Sequence, residues 1–418
     1  MRLIHTADWH LGQLLHDFPR EHEHAAFLAW LLEAIGRERA DALIVAGDIF
    51  DSANPPATAL KAWFGFLTEL HRRHPRLTTV IVGGNHDSAS RLEAPLELLR
   101  EFGTHVVGGL PRDPHGRLDL ERLLVPLADA AGRPAAWVAA VPYLRPADLP
   151  AVEDGDPAPQ VEGMRRIYAE AIAAARAKAG FFSAVVATGH CTMTGGALSE
   201  VSERKIQGGN RWPLPADVFP EDVAYVALGH LHLRQEVDGR KHVRYSGSPI
   251  PLSLAEADYP HEVVVVDFDG PRCAGIRSLR VPRTVGMLRI PAEGAAPPAP
   301  ALMQLRNLPA APPGKPAHEL DWLEVRVLVD QPEPGLPAQV ALAMKGRAAR
   351  LAKLTVEYRG TGKPLPEATR AAALEDLSPE EVFRKRHRRQ YDSDPDPDLM
   401  AAFLELLEEV RREAEEAP

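Results

Sequence analysis

Five short polar clusters recur along the chain, each directly after an apolar run of strand-like composition. They are Asp8-x-His10, Gly47-Asp48 with Asp51, Gly84-Asn85-His86-Asp87, Gly189-His190 and Gly229-His230-Leu231-His232, and they follow the runs 2–6, 42–46, 79–82, 184–188 and 223–228. Side chains at strand ends can meet only if the strands lie in layers with those ends along one edge. The pattern therefore predicts an α/β layered fold with one polar centre, and a centre of acids, imidazoles and a carboxamide predicts an enzyme.

The chain has 418 residues and 45% hydrophobic content, which is more than a single core accommodates, because cores stop growing beyond roughly 250 to 300 residues. More than one domain is expected. No apolar run approaches the roughly 18 residues a membrane span needs, and the chain enters a strand and a polar cluster at once, leaving no room for a signal peptide. A soluble, cytoplasmic protein with no membrane contact is expected. Only Cys191 and Cys273 are present, and neither sits in a Cys-x-x-Cys pair, so a disulfide framework is excluded. The net charge of -10, from 48 Lys and Arg against 58 Asp and Glu, requires any nucleic-acid contact to use a local basic surface.

Residues 1–284 alternate Val/Ile/Leu runs with amphipathic stretches, which predicts the large α/β domain. Phe27, Leu28, Leu31, Leu32 and Ile35 form one inward stripe, and Leu60, Trp63, Phe64, Leu67 and Leu70 form another. A third helix is expected from Ser90, with Glu93 completing a capping box and Leu92, Leu96 and Leu99 facing the core. Residues 285–365 are expected to be a small α+β capping domain: strands at 287–290, 323–329 and 354–358, a short helix around Leu302, Leu305 and Leu308 within a Pro/Ala-rich connector, and a helix at 338–350. Residues 366–418 are expected to be helical. Ser378-Pro379-Glu380-Glu381 opens a helix carrying the basic run Arg384-Lys385-Arg386-His387-Arg388-Arg389, and Leu399, Phe403, Leu406, Leu407 and Val410 stripe a final one. Such helices suit docking on a partner, while the basic run serves equally as a solvated face or a contact for DNA.

Asp8, His10, Asp48, Asn85, His190, His230 and His232 form a mixed donor set. Carboxylates bridge cations, imidazole favours transition metals, and a carboxamide oxygen adds a neutral hard donor, so the set suits manganese or iron better than magnesium. Two such ions about 3.5 to 4 Å apart can clamp a phosphate for in-line displacement. Singly, each cluster has an ordinary reading: Asp8 and Asp48 as turn formers, His190 as a satisfied core histidine. Their joint occurrence at strand ends favours two divalent metal ions. Ser246-Gly247-Ser248-Pro249 reads as a tight turn or as donors to a phosphate backbone, and His5, His16, His22 and His24 fit no ligand slot.

These clusters, with Ile4-His5-Thr6-Ala7-Asp8-Trp9-His10-Leu11-Gly12-Gln13, Val45–Asp51 and Arg244-Tyr245-Ser246-Gly247-Ser248-Pro249-Ile250-Pro251-Leu252-Ser253, resemble the calcineurin-like metallophosphoesterases, and within them the SbcD subfamily of nuclease subunits. Leu377–Phe383 is similar to the C-terminal region of that subfamily. The resemblance implies a sandwich of two β-sheets flanked by helices. It implies that Asp8, His10 and His232 hold one metal, that Asn85, His190 and His230 hold the other, and that Asp48 bridges them, with Mn2+ as the ion. His86 is implied as the catalytic residue, with a supporting hydrogen-bond role as the alternative, and Asp51 and Asp87 as groups that orient imidazoles or the loop.

On the same resemblance the function expected is a metal-dependent DNA nuclease, acting as a 3'-5' double-strand exonuclease and a single-strand and hairpin endonuclease. Its partners would be DNA and an SbcC-type coiled-coil ATPase, in a heterotetramer containing a homodimer of this subunit, at work in DNA end processing, replication, repair and recombination. No Gly-x-x-x-x-Gly-Lys-Ser/Thr loop is visible, so ATP use falls to the partner. Two alternatives compete with this expectation. A phosphoprotein phosphatase would carry Asp-Arg-Gly and Gly-Asn-His-Glu, where this chain has Asp51-Ser52-Ala53 and Asn85-His86-Asp87, and a catalytically silent interaction module would have lost ligands.

Overall fold

The structure is a computed structural model that describes residues 1–152, 157–196, 212–359, 379–391, 393–396 and 399–407. It divides into two compact units: Met1–Gln13 with Glu23–Pro282, and Leu14–His22 with the described residues from Arg283 onward.

The first unit is a sandwich of two six-stranded sheets. In one sheet Arg2–Thr6, Ala42–Ala46, Thr78–Val82 and Thr104–Val107 run parallel, and Glu262–Asp269 and Arg272–Arg280 extend it antiparallel beside Arg2–Thr6. In the other Pro134–Ala139, Ala184–His190, Tyr225–Gly229 and Arg240–Tyr245 are parallel, with antiparallel Leu124–Ala128 and Gln235–Val237 at the edges. Strands buried on both faces read as unbroken apolar runs, and here the alternation of side chains divides each run between two cores. Leu3, Ile44, Ala46, Val80 and Val82 pack toward Val138, Val186, Val226 and Val243 of the second sheet. Their neighbours Ile4, Leu43, Val45 and Ile81 pack with Phe27, Leu31, Trp63, Phe66 and Leu67 of helices Glu21–Glu38 and Ala57–Arg73. Helix Pro159–Ala179 lies against Pro134–Ala139 and Ala184–His190. His5 crosses between the sheets, its Nδ1 2.8 Å from the Tyr225 hydroxyl, with no exposure to solvent.

Two local expectations are corrected. Phe64 is 41% exposed and Phe66 takes the inward place. The predicted helix from Ser90 is two: Ala89–Glu93, capped by the Ser88 hydroxyl, and Leu96–Glu101. Pro95 stands between them and cannot donate into a helical ladder. Glu93 is drawn away from any capping box, accepting instead from Gly108 N at 2.8 Å and from Arg122.

In the second unit, Met287–Ile290, Asp321–Val329 and Ala349–Tyr358 form a wholly parallel sheet crossed over by helices Pro298–Arg306 and Leu336–Met344. Its core gathers Ile290, Leu302, Leu305, Leu323, Val325, Val327 and Val340. The helix expected over 338–350 starts and ends earlier, and its last residues belong to the strand, because Ala349 and Arg350 pair with Asp321 and Trp322. The Arg350 guanidinium lies 3.2 Å over the Trp322 ring, and Phe18, from the two-stranded hairpin Leu14–Pro19, packs 5.6 Å from the same ring. Toward the C-terminus, helix Pro379–Tyr391 and helical residues 399–407 pair through Phe383 stacked on Phe403 at 4.1 Å. Ser378 and Val410 of the expected tail lie outside the described residues.

Candidate metal centre

In both sheets the polar clusters follow the carboxyl ends of the parallel strands, where the chain must turn. Among the described residues eight non-glycine positions have positive φ, and Asp8, His10, Asp48 and His230 are four of them. Backbone held in that region costs of order 1 to 3 kcal/mol per residue and persists only where surrounding contacts over-determine it. Those contacts are present. Asp8 N donates to Gly47 O, His10 N to Asp48 O, and His230 N to Asp8 Oδ1. The loops are also close-packed: a Cβ at Gly47, which has φ +92°, would fall on the His190 ring, and one at Gly229 on the carbonyl oxygen of Ala46.

These turns bring side chains of both sheets together. Three groupings place one ligand atom per residue within 4.8 Å of the others: Asp8, His10 and His232; Asp8, Asp48 and His190; and His10, Asp48 and His86. Asp48 Oδ2 lies 3.5 Å from His10 Nε2 and 3.3 Å from His190 Nε2, while His190 Nε2 and His230 Nδ1 each come within 3.0 Å of Asn85 Oδ1. All seven residues of the mixed donor set are thus linked into one constellation, with His86 beside them, its ring 4.9 Å from that of His10.

Four imidazoles are anchored through Nδ1. His190 donates to the Ala46 carbonyl at 2.9 Å and His86 to the Asp51 carbonyl at 2.8 Å, and a carbonyl can only accept, so Nδ1 of each ring carries a hydrogen and Nε2 is the nitrogen left for other partners. The Nδ1 atoms of His10 and His232 meet carboxylates, Asp51 and Glu256, both at 3.1 Å. Asp87 ties the loops, accepting from Ile49, Phe50 and Gly84 backbone N–H groups. Glu256 escaped sequence reasoning. It follows a turn with no motif of its own, and the signal available was an acid enclosed by Leu254, Ala255 and Ala257. Ser246 and Ser248 are fully buried, and Ser248 N donates to the His232 carbonyl, which ties this segment to the His230–His232 loop.

The electrostatics fit cation binding. Burial opposes the charged form of every group, yet Asp48 and Asp8 raise His190 to about 9, and the surrounding imidazoles hold Asp48 well below the usual carboxylate range. His230 is pushed the other way, to about 3, by burial and by the charge of His190. Asp87 is raised to about 6 by burial and by Asp48. Asp8 Oδ2 and His10 Nε2 are buried with no hydrogen-bond partner, which is costly for polar atoms unless something else satisfies them. The donor chemistry and these two atoms fit a divalent metal site. Among the described residues, one further grouping, His22, His318 and Glu319 of the second unit, has His318 exposed and the other two half-buried.

A family model described as calcineurin-like phosphoesterase matches residues 1–234, and one described as type 5 capsule protein repressor C-terminal domain matches residues 283–391. Among curated proteins, the chain is 44% identical over 390 residues to the D subunit of nuclease SbcCD from Rhodobacter capsulatus, covering 92% of this chain and 93% of that one. The protein of the same name from Escherichia coli strain K12 is 32% identical over 406 residues, at 92% of each chain. That of Bacillus subtilis strain 168 is 36% identical over 274 residues, 64% of this chain and 66% of its own. With the phosphoesterase match spanning more than half of the sequence and the first two relatives nearly all of it, the chain belongs to the calcineurin-like phosphoesterases, in the branch formed by the D subunits of SbcCD nucleases.

Proposed function

We propose that this chain is the nuclease subunit of an SbcCD-type complex: a two-metal DNA phosphodiesterase that degrades duplex ends 3' to 5' and cuts single strands and hairpins, with an SbcC-type ATPase controlling access. The observation that carries this reading is the convergence of Asp8, His10, Asp48 and Asn85 from one sheet with His190, His230 and His232 from the other around buried, unsatisfied Asp8 Oδ2 and His10 Nε2. On this assignment Asp8, His10 and His232 would hold one ion, Asn85, His190 and His230 would hold the other, and Asp48 would serve both, with Mn2+ favoured by the imidazole-rich set. Bound ions supply Lewis acidity and an activated water for attack on phosphorus.

The chain's own groups supply the rest. The Asp51 carbonyl fixes the His86 ring through Nδ1, leaving Nε2 to pass a proton to the leaving oxygen or to stabilise its charge. The backbone N–H of His86 donates to Asp48 Oδ1 at 2.9 Å, which couples the position of that ring to the bridging carboxylate. Purified protein with Mn2+, offered a labelled duplex, a hairpin and a phosphoserine peptide, tests the reading. Cleavage of both DNAs with the peptide intact is expected, and peptide hydrolysis without DNA cleavage would replace the nuclease by a phosphatase.

A further inference from the structure

Glu256 has no exposure to solvent, although a buried carboxylate is expensive unless its oxygens are occupied. Here both are occupied. Oε1 lies 3.1 Å from His232 Nδ1 and accepts from the Ser253 hydroxyl at 3.3 Å, and Oε2 accepts from Leu252 N at 2.8 Å. The short turn Leu254–Glu256 delivers the residue. His261 fastens that turn, with Nε2 3.2 Å from the Glu256 carbonyl and Nδ1 2.9 Å from the Ser248 carbonyl. On the other side, Gln13 Nε2 donates to the Leu252 carbonyl at 2.9 Å, and Gln13 N donates to the carbonyl of His10. One carboxylate thus joins His232 to the segment that braces the Asp8–His10 loop.

We propose that Glu256 is a positioning residue of the metal centre: by accepting the Nδ1 proton of His232 it fixes the tautomer and the ring plane that direct Nε2 to the ion shared with Asp8 and His10. The inference rests on the two-ion reading given above. A carboxylate behind a ligating imidazole makes the ring a stronger donor, and losing such a partner typically weakens metal binding about 10- to 100-fold. His190 has a neutral carbonyl in the same place, so the effect of Glu256 belongs to one of the two ions and not to both.

The test titrates the full-length apoprotein with Mn2+ calorimetrically and follows the imidazole nitrogens of His232 by NMR. Wild type is expected to bind two equivalents with His232 protonated at Nδ1. In Glu256→Ala one binding step should weaken about 10- to 100-fold while the other is unchanged, and the His232 tautomer should become mixed. Glu256→Gln keeps an acceptor oxygen without the charge, so it should retain the tautomer and lie between the two in affinity. If Glu256→Ala retains both affinities, or loses both equally, the proposal is overturned, and an unchanged His232 tautomer overturns it independently of any ion. If wild type binds one equivalent only, the two-ion reading fails, while the ratio of Glu256→Ala to wild type for that ion still decides the role of Glu256.

Discussion

At the scale of single residues, the centre separates groups that would hold ions from the one that would move a proton. His86→Gln is expected to keep both ions by metal analysis and to lose about 10²- to 10⁴-fold in cleavage rate, the usual contribution of a general acid. Loss of one equivalent of metal would make His86 a ligand, consistent with its grouping beside His10 and Asp48. Asp48→Asn should deplete metal more than Asp8→Asn, since Asp48 lies between His10 and His190 and would serve both ions; equal occupancy would count against the bridge. His5 gives a pH signature away from the ions. Burial, with the charge of Arg244, lowers it to about 3, so on acidification the unfolded chain takes up its proton near pH 6.5 while the folded chain resists. The unfolded state then binds more protons, and stability falls as pH drops from 6.5 toward 3, by at most about 1.4 kcal/mol per pH unit. His5→Gln should flatten the unfolding free energy against pH over that interval, and an unchanged slope would show that His5 is not the buried neutral group.

At the scale of elements, the strand ends were legible because chemistry there breaks an apolar run: Asp48 after Ala42–Ala46 and His190 within Ala184–His190 stand out against their neighbours. The supporting groups were less so. Asp51 could be assigned from its place beside Asp48, but Glu256 reaches His232 across 24 positions and its role depends on a turn that no local pattern announces. The same limit explains Ser90 and Phe64, where helix spacing indicated an inward face but Pro95 and the position of Phe66 decided the actual one. The close approach of the two sheets offers a test at this scale. Gly229 sits where a side chain would meet the Ala46 carbonyl and the His190 ring, so Gly229→Ala should destabilise the first unit by about 1 to 3 kcal/mol, read from denaturant unfolding. It should also weaken metal binding, because His190 and the Gly47 turn must give way together.

At the scale of the whole molecule, the residues of the proposed centre all precede position 257, while the basic helix Pro379–Tyr391 and its Phe383–Phe403 stack lie in the second unit. Leu399 and Leu406 are 40% and 57% exposed among the described residues, and a docking role for this tail would have a partner cover them. A chain ending at Asp376 should therefore lose co-purification with an SbcC-type ATPase while keeping Mn2+ binding and single-strand cleavage, and a retained complex would place docking elsewhere. The seam between the sheets has a further consequence. Ions held by donors from both sheets would act as removable rivets through a sandwich that is otherwise closed by apolar contact. At an ion concentration about 100 times the dissociation constant such a rivet adds about 2.7 kcal/mol, so chelation should lower the melting temperature and quicken proteolysis of the first unit, Mn2+ should restore both, and Ca2+ only weakly. Metal supply would then govern how long the molecule survives as well as whether it cuts, and a metal-starved population would be thinned by degradation before it could act.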